Sequence, residues 1–162
     1  SLTPKLVDLQ NRINSIYETH EQLYQNNNLT HSNLYNYLNN LTNKVSDAFN
    51  ADNVLIKLEI DQELNLEADK LFPVGLMVNE FVTNSYKYAF DMEEKGTITI
   101  GLVKNKNVYK LIMKDSGRGL PDGFEIEKSS SFGMKIIKLL SIQLEGSFEI
   151  TPTEGTEIKV IF

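Results

Sequence analysis

The sequence predicts an α+β fold in which a helical hairpin precedes an antiparallel or mixed sheet with helices on one face. Two observations support this class. Apolar residues recur at three- and four-residue steps over the first fifty positions, which indicates helices, and they alternate with polar residues in several later segments, which indicates strands. The 162 residues fit one domain with a helical extension, and 41% of them are hydrophobic, enough for a buried core.

Two helices are predicted in the first fifty residues. The first runs from Leu6 to about Tyr24, and the second from about Ser32 to near Asn50. Three consecutive asparagines at 26–28 separate them. We therefore divide the chain into a helical region, residues 1–50, and a second domain, residues 51–162.

The second domain is predicted to begin with a strand and a long helix. Residues 54–60 alternate in polarity, as a half-buried strand does. Pro73 suits the first turn of the helix that follows, which ends before Asp91. Its buried side is expected to carry Val74, Met77, Val78, Phe81 and Val82.

Four further strands and one helix complete the predicted fold. Residues 97–103 and 107–114 alternate in polarity and flank a hairpin turn at 104–106. A helix over 132–144 stops at Gly146. The last two strands lie around Phe148 and Ile158, with TPTEG as the turn between them.

Charge and composition exclude several classes of function. The net charge is −6 and the pI is near 5.0, which argues against broad electrostatic binding of nucleic acid. The chain has no cysteine, so disulfides and thiolate metal sites are excluded. It has neither a signal-like N-terminus nor a run of about 18 apolar residues. We expect a soluble, cytoplasmic fragment without membrane contact of its own, which leaves a membrane-anchored parent protein open.

The densest polar cluster lies on the helix NEFVTNSYKYAF, which begins at residue 79. Glu80, Asn84, Lys87 and Tyr88 have helical spacing and are expected to share one face. A carboxylate and a carboxamide one turn apart offer oxygen ligands to Mg²⁺, and Lys87 and Tyr88 offer contacts to phosphate. The alternative is an ordinary solvated helix face.

Three glycine-containing segments follow that helix. DSGRGLP comes directly after a strand; its Asp115 is suited to accept a hydrogen bond from an adenine amino group, and its glycines allow close backbone approach. Gly133 opens a helix whose free N–H groups favour an anion, and Thr156 follows a glycine before the last strand. Each segment alone is more often a plain turn or cap, so their order carries the argument.

That ordered set resembles the ATP-binding domain shared by histidine kinases, gyrase, the Hsp90 chaperones and MutL, whose fold is the Bergerat two-layer α/β sandwich. NEFVTNSYKYAF is similar to the N box, and DSGRGLP, SFGMKII and TEGTEIKV to three glycine boxes. The resemblance covers about residues 50–162. HEQLYQNNNLT and LPDGFEIEKSSSFGMKII look most like the HisKA_2 and HWE-related histidine kinases, which extends the resemblance back to residue 11.

The resemblance implies ATP and Mg²⁺ as ligands. Asn84 would coordinate Mg²⁺, Lys87 would contact phosphate, Asp115 would bind adenine, and Thr156 would support the adenine end. Tyr88 stands where close relatives often carry histidine. The same resemblance implies that the pocket and its lid are shaped by Gly117, Gly119 and Gly133.

Glu80 precedes Asn84 by four residues, where ATP-hydrolysing relatives place a carboxylate that activates water. In a kinase the same group would accept a proton from the attacking imidazole. The sequence leaves both roles open.

Neither histidine of the chain matches the phosphoacceptor motif of these kinases, which resembles His-[His or Arg]-Val-Lys-Asn-Asn. His20 lies in HEQLYQ, which resembles family sequence beyond the phosphoacceptor, and we interpret it as structural. His31, between Thr30 and Ser32, is expected at a helix entry.

The sequence therefore predicts the catalytic part of a two-component sensor histidine kinase, truncated after its phosphoacceptor helix. It would bind Mg-ATP and transfer the γ-phosphoryl group to a histidine outside the fragment. By resemblance, the full-length protein is a homodimer and passes the phosphoryl group to a response regulator receiver domain. The alternatives are an ATP-hydrolysing switch and a non-catalytic scaffold in which residues 1–50 mediate dimerisation or hold a response regulator.

Overall fold

A computed structural model describes residues 31–129 and 131–162. Of His31 and Ser32, only the backbone is described. Before residue 31 the described residues are Thr3, Pro4, Leu6, Val7, Gln10, Asn11, Ile13, Asn14, Tyr17 and Glu21. All of these except Thr3 are helical, as predicted from Leu6 onward, and Pro4 extends the helix ahead of the predicted start. His20 and the predicted asparagine break lie outside the described residues.

The described elements form two layers, with a sheet on one side and helices on the other. The strands are β1 (His31–Asn33), β2 (Val54–Ile60), β3 (Asn65–Glu67), β4 (Gly96–Asn105), β5 (Val108–Asp115), β6 (Ser147–Thr153) and β7 (Gly155–Ile161). The helices are α1 (Leu34–Phe49), α2 (Ala68–Asn84) and α3 (Phe132–Gln143), with a π-helical turn at Ser85–Ala89 and a 3₁₀ turn at Ile126–Lys128.

The main sheet has five strands in the order β2-β4-β5-β7-β6. Strands β2 and β4 are parallel, because α2 crosses between them, and the other pairs are antiparallel. One face of the sheet is buried under the helices; it presents Ile98, Ile100, Leu111, Met113 and Ile158. This mixed sheet with helices on one face confirms the predicted fold class.

Helix α2 begins five residues earlier than predicted. It starts at Ala68, so that Pro73 lies inside the helix and not in its first turn. Ala68, Lys70 and Leu71 are good helix formers, and Asp69 in the first turn complements the positive end of the helix dipole. Leu71 is buried, and this early part of the helix is therefore held by packing as well as by propensity.

The entry to α1 also differs from the prediction. His31 belongs to β1, which pairs with β3 in a small two-stranded sheet, and it does not start the helix. The N-cap is Asn33, whose side-chain oxygen accepts a hydrogen bond from the Asn36 N–H at 2.9 Å. Asn50 ends the helix in the left-handed conformation, close to the predicted boundary.

Two predicted turns are shorter in the structure. The β4–β5 hairpin pairs Asn105 with Val108, which leaves Lys106 and Asn107 as its loop. The β6–β7 hairpin pairs Thr153 with Gly155, and only one residue remains at its tip. The predicted turn residue Pro152 therefore lies in β6, an edge strand, where a missing N–H costs no ladder hydrogen bond.

Helix α1 packs on α2 through a glycine. A Cβ built on Gly75 would lie 2.2 Å from the Tyr37 hydroxyl oxygen, and Tyr37 is fully buried. We expect Gly75→Ala to lower the free energy of unfolding by about 1–3 kcal/mol, as overpacking of a buried contact does. The matched control is Gly101→Ala in β4, where a Cβ would meet its nearest atom at an ordinary 3.7 Å. Urea unfolding of the two variants checks this, and equal midpoints would contradict it.

Candidate functional site

A cavity of about 530 Å³ opens where α2 and its π-helical turn, the loop after β5 and the start of α3 come together. Its volume is in the range of small-molecule and cofactor sites. Phe81, Leu120, Phe124 and Met134 form much of its apolar wall. Its polar lining includes Asn84, Ser85, Tyr88, Asp115, Arg118, Ser129, Ser131 and Thr156.

The carboxylate of Asp115 lies at the end of β5 and is only 3% exposed. Its Oδ1 accepts hydrogen bonds from the backbone N–H of Gly117 at 3.0 Å and of Thr156 at 3.3 Å. Its Oδ2 accepts one from the Ser85 hydroxyl at 3.0 Å. These donors compensate the burial of a charge and fix the direction of the carboxylate beside the cavity.

Close backbone contacts explain the glycines around Asp115. A Cβ on Gly117 would lie 2.3 Å from the Ala89 carbonyl oxygen, and one on Gly155 only 2.0 Å from the Asp115 carbonyl oxygen. Gly119 and Gly155 also have positive φ, at 76° and 123°. The predicted glycine segments thus lie against one another and against the π-helical turn.

Glu80 and Asn84 lie together under the start of α3. A Cβ on Gly133 would be 2.5 Å from Asn84 Nδ2 and 2.9 Å from Glu80 Oε2, so only glycine fits there without displacing a side chain. Asn84 lines the cavity. Glu80 is fully buried and is not among the lining residues, because the first turn of α3 covers it.

Of the residues predicted to share one helix face, Tyr88 lines the cavity together with Asn84, whereas Lys87 does not. The helix changes from α to π after Asn84, and a π-helical turn contains more residues than an α-helical one. Tyr88 lines the cavity and is 62% exposed. Lys87 is exposed and is not a lining residue.

Several lining residues were missed by the sequence reasoning. Ser85 is only 2% exposed, and its neighbour Asn84 in the N box is the signal that points to it. Arg118 donates to Asp91 Oδ1 at 2.5 Å, which joins the loop after β5 to the end of the π-helical turn. Phe124 comes from the segment between Gly119 and Gly133, where nothing in the sequence distinguishes it.

An exposed ion pair joins the segment between Gly119 and Gly133 to α3. Lys138 donates to Glu127 Oε1 at 2.5 Å, and this hydrogen bond, with the positive charge of Lys138, lowers the pKa of the Glu127 carboxyl. A carboxyl whose pKa is lower in the folded state than in the unfolded state stabilises the fold at pH values above the unfolded-state pKa. This stabilisation is lost as the pH falls through the folded-state pKa. The pair therefore holds the segment at neutral pH and weakens in acid.

The comparisons with known proteins agree with this architecture. The model of the histidine kinase-, DNA gyrase B- and HSP90-like ATPase family matches residues 69–162, more than half of the chain. The chain belongs to this family. A second family model, HisKA_2, described as histidine kinase, matches residues 2–49.

Individual relatives are sensor histidine kinases. The chain is 34% identical over 97 residues to sensor histidine kinase PdtaS of Mycolicibacterium smegmatis, a match that covers 57% of this chain and 19% of that protein. It is 32% identical over 97 residues to PdtaS of Mycobacterium tuberculosis, again over 57% of this chain and 19% of the relative. The chain thus spans about a fifth of the length of these relatives.

Solved structures share the fold. The blue-light activated histidine kinase EL346 of Erythrobacter litoralis superposes with a TM-score of 0.82 at 18% identity, covering 96% of this chain and 53% of that one. The catalytic domain of histidine kinase ThkA superposes with a TM-score of 0.62 at 18% identity, covering 82% of this chain and 94% of that one. The two-layer architecture is therefore that of histidine kinase catalytic domains. Among the described helices, none is both long and apolar enough to cross a bilayer.

Proposed function

We propose that this chain is the catalytic, ATP-binding part of a two-component sensor histidine kinase. It binds Mg-ATP and transfers the γ-phosphoryl group to a histidine outside these 162 residues. One observation carries the proposal: a buried carboxylate, Asp115, is held against the wall of a cavity that Asn84 also lines, in a chain of the histidine kinase-like ATPase family.

Asp115 recognises the base in this proposal. A carboxylate oxygen accepts about two hydrogen bonds, and Asp115 Oδ1 already has two donors whereas Oδ2 has one from Ser85 among the described residues. Oδ2 therefore accepts the adenine amino group. Guanine presents a carbonyl oxygen at the corresponding position, which a carboxylate repels, so the site selects ATP over GTP. Thr156 supports this end through its backbone N–H, and the apolar cavity wall receives the ring.

The phosphates are proposed to lie at the other end of the cavity, near the start of α3. The first N–H groups of that helix have no intrahelical acceptor and favour an anion. Asn84 fits Mg²⁺, which prefers oxygen ligands and is usually held by one or two protein groups together with phosphates and water. When bound, Mg²⁺ neutralises charge on the transferring phosphoryl group. Lys87 and Tyr88 contact phosphate oxygens from the π-helical turn, with Lys87 acting from outside the cavity lining.

Glu80 is the proposed base. A histidine nitrogen attacks the γ-phosphorus, the bond to the β,γ-bridging oxygen breaks, ADP leaves, and the imidazole proton goes to the Glu80 carboxylate. Gly133 covers Glu80 in the present structure, so this role requires the start of α3 to shift away from the Glu80 and Asn84 side chains. On the opposite wall of the cavity, Gly117 and Gly119 allow the loop after β5 to lie close to the adenine ring.

Partners and domain limits belong to the same proposal. Residues 1–50 are a remnant of the dimerisation and phosphotransfer region, and residues 51–162 are the ATP-binding domain. The HisKA_2 match over residues 2–49 supports this division. We propose that the full-length protein is a cytoplasmic-facing homodimer that passes its phosphoryl group to a response regulator receiver domain.

Transfer of label from [γ-³²P]ATP tests the function. The chain is incubated with Mg²⁺ and a separate domain that carries the phosphoacceptor motif of these kinases, His-[His or Arg]-Val-Lys-Asn-Asn. We expect acid-labile, alkali-stable label on that domain and none on this chain. Asn84→Ala should lower the rate of transfer about tenfold or more, since it removes a contact to a charged ligand. Asn40→Ala, an exposed site on α1, is the matched control and should transfer normally.

Two outcomes would overturn the kinase proposal. Release of inorganic phosphate by the chain, without labelling of the acceptor domain and with loss in Glu80→Gln, would establish the ATP-hydrolysing switch. Failure of the folded chain to bind nucleotide at all would favour the non-catalytic scaffold, in which residues 1–50 carry the interaction.

A further inference from the structure

We infer that Ser85 is a positioning residue for base recognition: its hydroxyl fixes the Asp115 oxygen that accepts the adenine amino group. The inference rests on the proposed nucleotide function and adds a residue that determines base selectivity. Ser85 lines the cavity, is 2% exposed, and its Oγ lies 3.0 Å from Asp115 Oδ2, thirty residues away in the chain.

The Ser85 hydroxyl has one proton and two acceptors within reach. Its Oγ is 3.0 Å from the Phe81 carbonyl oxygen and equally 3.0 Å from Asp115 Oδ2. The Phe81 carbonyl already accepts the backbone N–H of Ser85, whereas the carboxylate is charged and forms the stronger bond. The proton therefore goes to Asp115.

This bond acts on the acceptor that a nucleotide base would use. The backbone donors from Gly117 and Thr156 occupy Oδ1, and Ser85 alone among the described side chains donates to Oδ2. With Ser85 in place, one acceptor direction of Oδ2 remains for a molecule in the cavity. Without it, the carboxylate loses the contact that sets its tilt, and the remaining acceptor is no longer fixed.

The position of Ser85 also links the two ends of the site. It is the first residue of the π-helical turn and follows Asn84 directly. The hydrogen bond to Asp115 thus joins the helix end that carries Asn84 to the strand end that carries the base-binding carboxylate. Loss of the Ser85 hydroxyl should therefore affect the base contact most, since Asn84 is fixed by the helix backbone.

The test compares two ligands on the 162-residue chain: the β,γ-imido analogue of ATP and the triphosphate of purine riboside, which lacks the amino group. Ser85→Ala should lower the affinity for the ATP analogue about tenfold, as loss of a hydrogen bond to a charged group does. The affinity for the purine riboside triphosphate should stay unchanged. Ser85→Cys keeps the volume but is a weak donor, and should behave like Ser85→Ala. Ser85→Thr keeps the hydroxyl and should restore part of the preference for the amino group.

Ser141→Ala is the matched control. Ser141 is also fully buried, and its hydroxyl donates to the Lys138 carbonyl oxygen at 2.7 Å, away from the cavity lining. This variant should keep the wild-type ratio of the two affinities. Equal losses for both ligands in Ser85→Ala and Ser85→Cys, or no loss for either, would overturn the positioning role. If the wild-type chain binds neither ligand, the nucleotide function itself fails, and that result is distinct from both.

Discussion

Asp115→Asn is expected to weaken binding of the Mg²⁺ complex of the imido ATP analogue roughly 100-fold, with the fold retained. Hydrogen bonds to a charged acceptor contribute about 1.5–3 kcal/mol each, and 1.4 kcal/mol is a factor of ten. The asparagine oxygen can still accept from Gly117 and Thr156, so its amide nitrogen takes the place of Oδ2. That nitrogen would face both the Ser85 hydroxyl and the adenine amino group as a donor.

Calorimetric titration of the Asp115→Asn variant measures this loss. Asp61→Asn is a matched control, because Asp61 Oδ1 also accepts the backbone N–H two residues on, from Glu63 at 2.9 Å, but Asp61 is exposed and is not a lining residue of the cavity. The control should bind as the wild type does. Wild-type affinity in Asp115→Asn would mean that the carboxylate does not touch the base.

Gly155→Ala is expected to lower the free energy of unfolding by roughly 3–4 kcal/mol, near the upper end of single substitutions. Two effects add. A φ of 123° is available almost only to glycine, and a Cβ there would lie 2.0 Å from the carbonyl oxygen of Asp115, a backbone atom that cannot rotate away. The start of β7 would have to move from β5, which also breaks the hydrogen bond from Thr156 N–H to Asp115.

Gly123→Ala separates the clash from the cost of positive φ. Gly123 has φ of 71°, but a Cβ there meets nothing within 4 Å, so only the left-handed backbone penalty of about 1–2 kcal/mol applies. Guanidinium unfolding at constant m-value compares the two variants. Equal destabilisation would show that β7 relaxes around the added methyl group, contrary to the close packing of Gly155 on Asp115.

Periodicity predicted most of the fold because each long element has one buried face. Residues 54–60 alternate in burial as they do in polarity, and the α1 stripe at Leu34, Leu38 and Leu41 is buried in the core. Strands β1 and β3 were missed, since three residues are too few for a pattern and their pairing joins positions far apart in sequence. The start of α2 could not be predicted from Pro73, because proline favours the first turn of a helix, whereas here the buried Leu71 stabilises the helix ahead of it.

Five of the residues predicted for the site line the cavity, namely Asn84, Tyr88, Asp115, Gly119 and Thr156, whereas the tertiary contacts between them were not predicted. The order of the glycine segments pointed to Asp115, Gly117 and Gly119: the close contact at Gly117 and the positive φ of Gly119 are local backbone properties that suit glycine, and Asp115 ends the strand before them. Ser85 follows Asn84 directly in the N box, but its contact with Asp115 could not be predicted, because the partner lies thirty residues away in the chain. Local spacing also placed Lys87 with Asn84, which assumes an α-helix through a turn that is π-helical.

An NMR titration tests the central claim, that this cavity binds a nucleotide, most directly. The ¹⁵N-labelled chain is titrated with the imido ATP analogue and Mg²⁺, and amide shifts are followed to saturation. We predict saturable shifts concentrated at the cavity, at Arg118, Gly119, Met134 and Thr156, with little change at Thr99 and Ile112, which lie on the sheet face opposite the helices. Absence of saturable shifts, or shifts confined to that opposite face, would contradict the account.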